Sequence, residues 1–206
     1  NDKLKAGDRI DVMTPMGGFY SELNPSNTKN YILFAGGSGI TPVFSILKSV
    51  LHVEPKSRVI LFYANRDKNS IIFQQPIEAL ARRNKERLQF FNIFDVDESG
   101  DPFFTGMMTK EKVSRLLEKF VIPSSSNEYF ICGPLGMMNN IKEVLEEQKV
   151  DKKLTHIEYF TTALEENIKA EPPPNYQDLK PIESKVKIIL DFHEIEITLS
   201  STGKPI

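Results

Sequence analysis

The chain has 206 residues, 40% hydrophobic and 26% charged, the balance of an ordinary soluble globular protein with a core of normal size. A formal net charge of −2 supplies no basic field for nucleic acid or an anionic membrane, and no apolar run approaches the ~20 residues needed to span a bilayer. One cysteine excludes an internal disulfide and a cysteine-only metal site, and His52, His156 and His193 share no ligand spacing, so no metal is expected and a reducing, cytoplasmic setting is.

In chain order, Lys5 to Met13 reads as the last strand of something earlier, and the sequence opens on Asn1 rather than Met. Ser200 to Ile206 stops in mid-pattern, so we read the sequence as a piece of a longer protein. From Asn30 onward, apolar runs alternate with helical patterns, the signature of parallel βα units. Tyr31 to Ala35 is a first strand, followed by a helix stripe of Ile40, Val43, Phe44, Leu47, Val50 and Leu51. Arg58 to Ala64 is a second strand, with a helix face at Ile72, Phe73, Ile77 and Leu80. Leu88 to Phe94 is a third, followed by a polar loop, Asp95 to Asp101, and a stripe of Val113, Leu116, Leu117 and Phe120. Glu128 to Cys132 is a fourth strand, Met137 to Leu145 its helix, and Thr155 to Phe160 a fifth strand. The expectation is an α/β fold with a doubly wound five-stranded parallel sheet.

Past Phe160 the composition shifts. Glu165 to Lys180 is charged and carries Pro172, Pro173 and Pro174 in a row, which predicts an extended linker. Val186, Ile188 and Leu190, then Ile195, Ile197 and Leu199, alternate about a turn at Asp191 to Glu194, which predicts a β-hairpin. A hairpin alone is marginal in water, so it should belong to a further domain.

Two turns carry the chemistry. Gly36-Gly37-Ser38-Gly39-Ile40-Thr41-Pro42 joins a buried strand to a helix. Its glycines let backbone N–H groups approach an anion, Thr41 is placed to cap the helix, Pro42 suits the first turn, and the helix start adds positive charge. On glycine spacing alone, an empty strand–helix turn is as good a reading, and the pattern is not G-x-G-x-x-G. Cys132-Gly133-Pro134-Leu135-Gly136-Met137 forms a second such turn on the same carboxyl edge, and a reversal of strand order between them would make a nucleotide crevice. Three roles stay open for Cys132: a small buried hydrophobe, a nucleophile lacking an evident histidine partner, or a thiol lining a cofactor pocket.

Gly36 to Pro42, then Cys132-Gly133-Pro134, then Glu158-Tyr159-Phe160 resemble the ordered signatures of the ferredoxin–NADP reductase superfamily, and Pro15-Met16-Gly17-Gly18-Phe19 resembles the stretch closing that family's flavin barrel. The likeness runs from about Gly7 to Phe160 and is greatest to the reductase components of multicomponent oxygenases, such as the phenylacetyl-CoA oxygenase type. That resemblance implies residues 1–23 as the end of a flavin-binding β-barrel and 24–160 as the NAD(P)-binding domain. It implies 161–184 as a linker and 185–206 as the start of a [2Fe–2S] ferredoxin-like domain whose cluster ligands lie beyond Ile206. It implies hydride transfer from NAD(P)H to FAD, then single electrons through the cluster to an oxygenase.

By residue, the resemblance implies Gly36, Gly37, Ser38 and Gly39 on the pyrophosphate, with Pro42 opening the helix, and Thr41 facing the nicotinamide ribose or ring. It implies Cys132 near the hydride-donating carbon, Gly133, Pro134 and Met137 shaping the pocket, Glu158 near the reacting centre, and Phe160 on the flavin. Glu158 as a solvated carboxylate and Phe160 as a core or linker-docking aromatic are the bland alternatives. NADP-using relatives often carry Ser-Arg where this chain has Asp95-Val96, whose carboxylate would repel a 2′-phosphate and so favours NADH. Asn65-Arg66 after the second strand is a cofactor-binding candidate, and Arg66 would pull the other way. The family's Arg-x-Tyr-Ser flavin motif is absent from the sequence. A stand-alone flavin reductase without iron–sulfur domain and a dinucleotide-sensing module are the competing readings.

Overall fold

The computed structural model describes residues 9–10, 12, 17–96, 101 and 103–160, and the backbone of strands at 183–190 and 193–200. The expected alternation is realised: β1 (Asn30–Gly36), α1 (Ile40–Val53), β2 (Arg58–Asn65), α2 (Gln74–Arg83), β3 (Leu88–Phe94), α3 (Lys110–Phe120), β4 (Asn127–Cys132), α4 (Leu135–Glu147) and β5 (Thr155–Glu158). The strands form one parallel sheet in the order β3-β2-β1-β4-β5. Asn30 therefore pairs with Arg58 on one side and, on the other, with Asn127 from the far half of the domain. The direction of winding reverses between β1 and β4, the position at which ligands enter such sheets.

Successive side chains of β1 face opposite layers. Tyr31, Leu33 and Ala35 pack with Ile40, Val43 and Leu47 of α1, and Ile32 and Phe34 pack with α3 and α4 through Leu116, Ile141 and Val144. Each such side chain taken out of water contributes roughly 1.5–3 kcal/mol, which is why the central strands read as continuous apolar runs. Arg87 closes the far end of α1: its Nη1 donates to Glu54 O at 2.8 Å and its Nη2 to Leu51 O at 2.9 Å, a cation on the helix's unpaired carbonyls.

Two boundaries differ from the sequence expectation. The second helix starts at Gln74 because Phe73 adopts the left-handed region, φ 60°, and Ile72 N donates to Tyr63 Oη instead of entering a helical ladder. β5 stops at Glu158 because its last pairing partner, Cys132, is the end of β4, leaving Tyr159 and Phe160 no strand to bond. Beyond the polar loop that follows β3, the stretch Phe103–Gly106 folds back onto the strand end. Phe94 N donates to Phe104 O and Gly106 N to Phe94 O, which lays Phe104 on Phe91 and Phe103 against Phe120.

The chain divides into two units, Asn1–Thr162 and Ala163–Ile206. In the second, β6 (Glu183–Leu190) and β7 (His193–Ser200) pair antiparallel with Ile188 opposite Ile195, as the alternation predicts. His193 and Glu194, expected in the turn, already pair with Leu190 and Ile189. Most of the barrel segment 1–23 and of the linker 161–184 falls outside the described residues.

Candidate functional site

The two Gly/Pro turns meet backbone to backbone at the carboxyl edge. A Cβ on Gly39 would run into the Cys132 carbonyl and stand 2.8 Å from Gly133 N; one on Gly133 would stand 2.9 Å from Gly36 N; one on Gly36 would stand 2.6 Å from Pro134 Cδ. These three glycines are required by close approach of main chain, which leaves no room for a side chain between the turns. Gly37 differs: its φ is +51° and nothing lies within 4 Å of its missing Cβ, so it presents bare backbone to open space. Met137, 9% exposed, wedges the turns from the helix side, with Cε 2.5 Å and Sδ 3.0 Å from the positions of a Cβ on Gly133 and Gly36.

Gly37 to Gly39 forms a single 3₁₀ turn running straight into α1. Thr41 does not cap that helix: it lies one residue inside, and its Oγ1 donates back to Ser38 O at 3.0 Å. No side chain caps α1, nor α4, whose N-cap is Pro134. By contrast Thr109 caps α3 by accepting from Lys112 N at 3.3 Å. α2, whose N-cap is Phe73, also lacks a side-chain cap; what α1 and α4 share is that both uncapped positive ends start at the crevice, an arrangement suited to an anion.

Two residues of β2 complete this side. Tyr63, which sequence reasoning passed over inside the Tyr63-Ala64-Asn65-Arg66 run, donates from its hydroxyl to Gly37 O at 3.1 Å and accepts from Ile72 N at 3.2 Å. Burial pushes its phenol up, so it remains a donor that pins the glycine turn. Asn65 ends the strand, 4% exposed, and its amide lies near the Tyr63 hydroxyl without hydrogen-bonding geometry; neither Nδ2 nor Oδ1 has a partner. Its backbone O accepts from Asp95 N at 3.0 Å, and Arg66 O accepts from Val96 N at 3.1 Å, bringing the ends of β2 and β3 together.

The other side is a cleft of about 580 Å³ lined by Gly17, Phe19, Tyr20, Thr41, Pro42 and, from the end of β5, Glu158 and Phe160. Phe160 is 56% exposed. Cys132, in register with Glu158, is 1% exposed, and burial, with the Glu158 charge adding, pushes its thiol up to about 11. A thiol so raised is neutral near pH 7 and presents an uncharged wall. The structure thus gathers Gly36, Gly37, Ser38, Gly39, Cys132, Gly133, Pro134 and Met137 at one point and Thr41, Pro42, Glu158 and Phe160 around one cleft, with Asn65 and Arg66 on the neighbouring strand end. A larger cleft of about 1030 Å³ lies at the opposite edge among Leu117, Val121, Tyr129, Val150 and Leu154. It meets the C-terminal ends of α3 and α4 and holds no unpartnered buried polar atom among the described residues, so it lacks what the carboxyl edge offers. No group of three or more His, Cys, Asp or Glu side chains suited to a metal occurs among the described residues.

A family model described as the oxidoreductase NAD-binding domain matches residues 33–143. Over 161 residues the chain is 31% identical to one of the subunits of the 1,2-phenylacetyl-CoA epoxidase of Escherichia coli (strain K12), covering 78% of this chain and 45% of that protein. Over 198 residues it is 29% identical to the ferredoxin reductase component of 3-ketosteroid-9-alpha-monooxygenase from Rhodococcus rhodochrous, covering 96% of this chain and 50% of that one. The cytochrome b5 reductase domain of Ulva prolifera nitrate reductase superposes with a TM-score of 0.62 at 25% identity, covering 77% of this chain and 61% of that chain. The chain spans about half the length of the curated relatives it matches.

Proposed function

This chain belongs to the oxidoreductase NAD-binding domain family, and we propose that it is the nicotinamide-nucleotide half of a flavin-dependent reductase that takes hydride from NAD(P)H and delivers electrons to an oxygenase component. The observation that carries this reading is the unpartnered, 4% exposed amide of Asn65 beside two uncapped helix starts at the switch point of the sheet. A buried amide without partners costs about 1–3 kcal/mol, and a ligand that satisfies it recovers that cost on binding.

In this reading the Gly36–Gly39 turn and the α1 start hold the pyrophosphate, and Asn65 hydrogen-bonds the ribose next to it. Thr41 and Pro42 border the nicotinamide, Cys132 supplies a neutral wall behind it, and Glu158 hydrogen-bonds near the reacting carbon. The cleft lined by Gly17, Phe19, Tyr20, Glu158 and Phe160 would border the flavin ring of FAD, most of which upstream sequence would hold. When bound, FAD supplies the conversion of a two-electron donor into single electrons. Phe160, at the mouth of that cleft, would pack against the flavin ring and move aside for the nicotinamide; no side chain of the chain acts as a covalent catalyst. A [2Fe–2S] centre fits no ligand set in this chain, whose one cysteine is buried Cys132. We assign its ligands to sequence beyond Ile206, following the β6–β7 hairpin. We read the setting as cytoplasmic; among the described residues no helix is long and apolar enough to cross a membrane.

Asp95, tied to the end of β2 through Asn65 O, makes NADH the expected donor, with Arg66 the residue that would favour a 2′-phosphate. The deciding experiment is anaerobic mixing of the complete protein with NADH or NADPH, followed at the flavin absorption. Bleaching by NADH with at least about tenfold preference supports the reading. Nucleotide binding to a colourless protein would leave a sensing module, and a flavoprotein lacking an iron–sulfur band would leave a stand-alone reductase.

A further inference from the structure

Glu128 of β4 is 6% exposed and takes no part in the glycine crevice. Its carboxylate accepts from Lys29 Nζ at 2.8 Å and from Ser21 Oγ at 3.2 Å, and it meets His156 Nε2 at 2.9 Å. The three partners come from separate places: Ser21 from the segment leading to β1, Lys29 from the residue before that strand, and His156 from β5. The His156 ring lies flat on Phe130, 4.3 Å between centroids at 12°, and Phe19 meets the same Phe130 ring edge-on at 5.3 Å. Ser21 directly follows Phe19 and Tyr20, which line the 580 Å³ cleft, and His156 lies two residues before Glu158, which lines it with Phe160. β5 has only four residues and one neighbouring strand, so its ladder alone holds it weakly.

A buried carboxylate whose partners come from two segments that otherwise meet through the Phe130 ring fixes both, because releasing either leaves charge or donors unpaired in the interior. We propose that Glu128 is a positioning residue for the cleft: by holding Ser21 and His156 at once it sets Phe19–Tyr20 and Glu158–Phe160 at a fixed separation. The proposal rests on reading that cleft as the place where nicotinamide meets flavin. Glu128 touches neither group; it acts through the two segments that do.

The test uses the complete protein. Glu128→Gln keeps the shape and removes the charge. Amide exchange is expected to quicken about tenfold in residues 17–23 and 155–160 together while α1 and β2 keep their rates. Ser21→Ala should loosen only the first segment and His156→Ala only the second. Flavin reduction at saturating NADH should slow about tenfold in Glu128→Gln with the dissociation constant changed less than about threefold, since the pyrophosphate cradle is untouched. Uniform quickening along the whole chain, loosening of a single segment by Glu128→Gln, or equal loss of rate and affinity overturns the proposal. A wild-type protein that reduces no flavin overturns the reading of the cleft, and the exchange comparison then decides the role of Glu128 by itself.

Discussion

At the carboxyl edge of the sheet the chain withholds partners, while under residues 21–31 it supplies every one. The crevice has interlocked glycine turns, two uncapped helix starts and the unpartnered amide of Asn65. Beneath the segment before β1, the fully buried Glu54 accepts from Ser57 Oγ at 2.6 Å, Asn27 Nδ2 at 2.6 Å, Asn24 N at 3.0 Å and Tyr31 Oη at 3.1 Å. Ser21 Oγ, 3.3 Å from Tyr31 Oη, continues that network to Glu128. Buried polar groups of the same kinds therefore serve two purposes. Saturated, they hold chain to chain; unsaturated at the switch point of the sheet, as Asn65 is, they leave hydrogen bonds for a ligand to make.

The largest expected effect tests how tightly the crevice is closed. Gly39→Ala sets a Cβ against the Cys132 main chain, which no rotamer relieves, and should cost about 3 kcal/mol with loss of nucleotide binding, read by thermal melting and calorimetry. Gly37→Ala, with free space around it, should cost only about 1 kcal/mol through its positive φ. Equal costs would mean that the turns do not interlock.

The saturated region should fail next. Glu54→Ala strands four donors and should cost about 2–3 kcal/mol by denaturant unfolding. Burial pushes the Glu54 carboxyl up, but the hydrogen bonds from Ser57, Asn24, Asn27 and Tyr31 outweigh it and hold the group below its usual value. A depressed folded-state value means the contribution is present at neutral pH and lost as pH falls through that value, beneath the ordinary carboxylate range of about 4. Unfolding followed between neutral pH and pH 3 should show a shallower acid slope in Glu54→Gln than in the wild type.

Asn65→Leu should separate the two purposes. Removing unpartnered atoms should leave stability within about 1 kcal/mol of the wild type, while nucleotide affinity drops about tenfold. A loss of several kcal/mol in melting would show that the amide is structural after all. Smallest is the effect at Cys132: with its thiol pushed up to about 11 by burial and then by Glu158, alkylation at pH 8 should be far slower than for an exposed thiol, and Glu158→Gln should quicken it slightly.

The sheet was legible in the sequence because its central strands, buried on both faces, are written as unbroken apolar runs, and the two turns because glycine and proline punctuate them at strand ends. What depends on long-range contact was not. Gly39 and Gly133 look alike in sequence to Gly37, yet only the fold shows that the first two separate touching backbones. Tyr63 was legible only as a residue of the second strand, because nothing local reveals that its hydroxyl reaches Gly37 O. The burial of Glu54 and Glu128 had no local signal, since their partners are spread from Ser21 to His156.

The pairing of β1 with β2 on one side and with distant β4 on the other has a consequence for the order of assembly. The β1–β2 half can form from neighbouring stretches of chain, but the Gly39–Cys132 contact needs the loop between the halves closed. Loop closure of that length is entropically slow. The crevice is thus among the last features the chain completes, and a dinucleotide that binds there meets only molecules that have finished folding. It would act as a late stabiliser of the native state by mass action and would not template its formation.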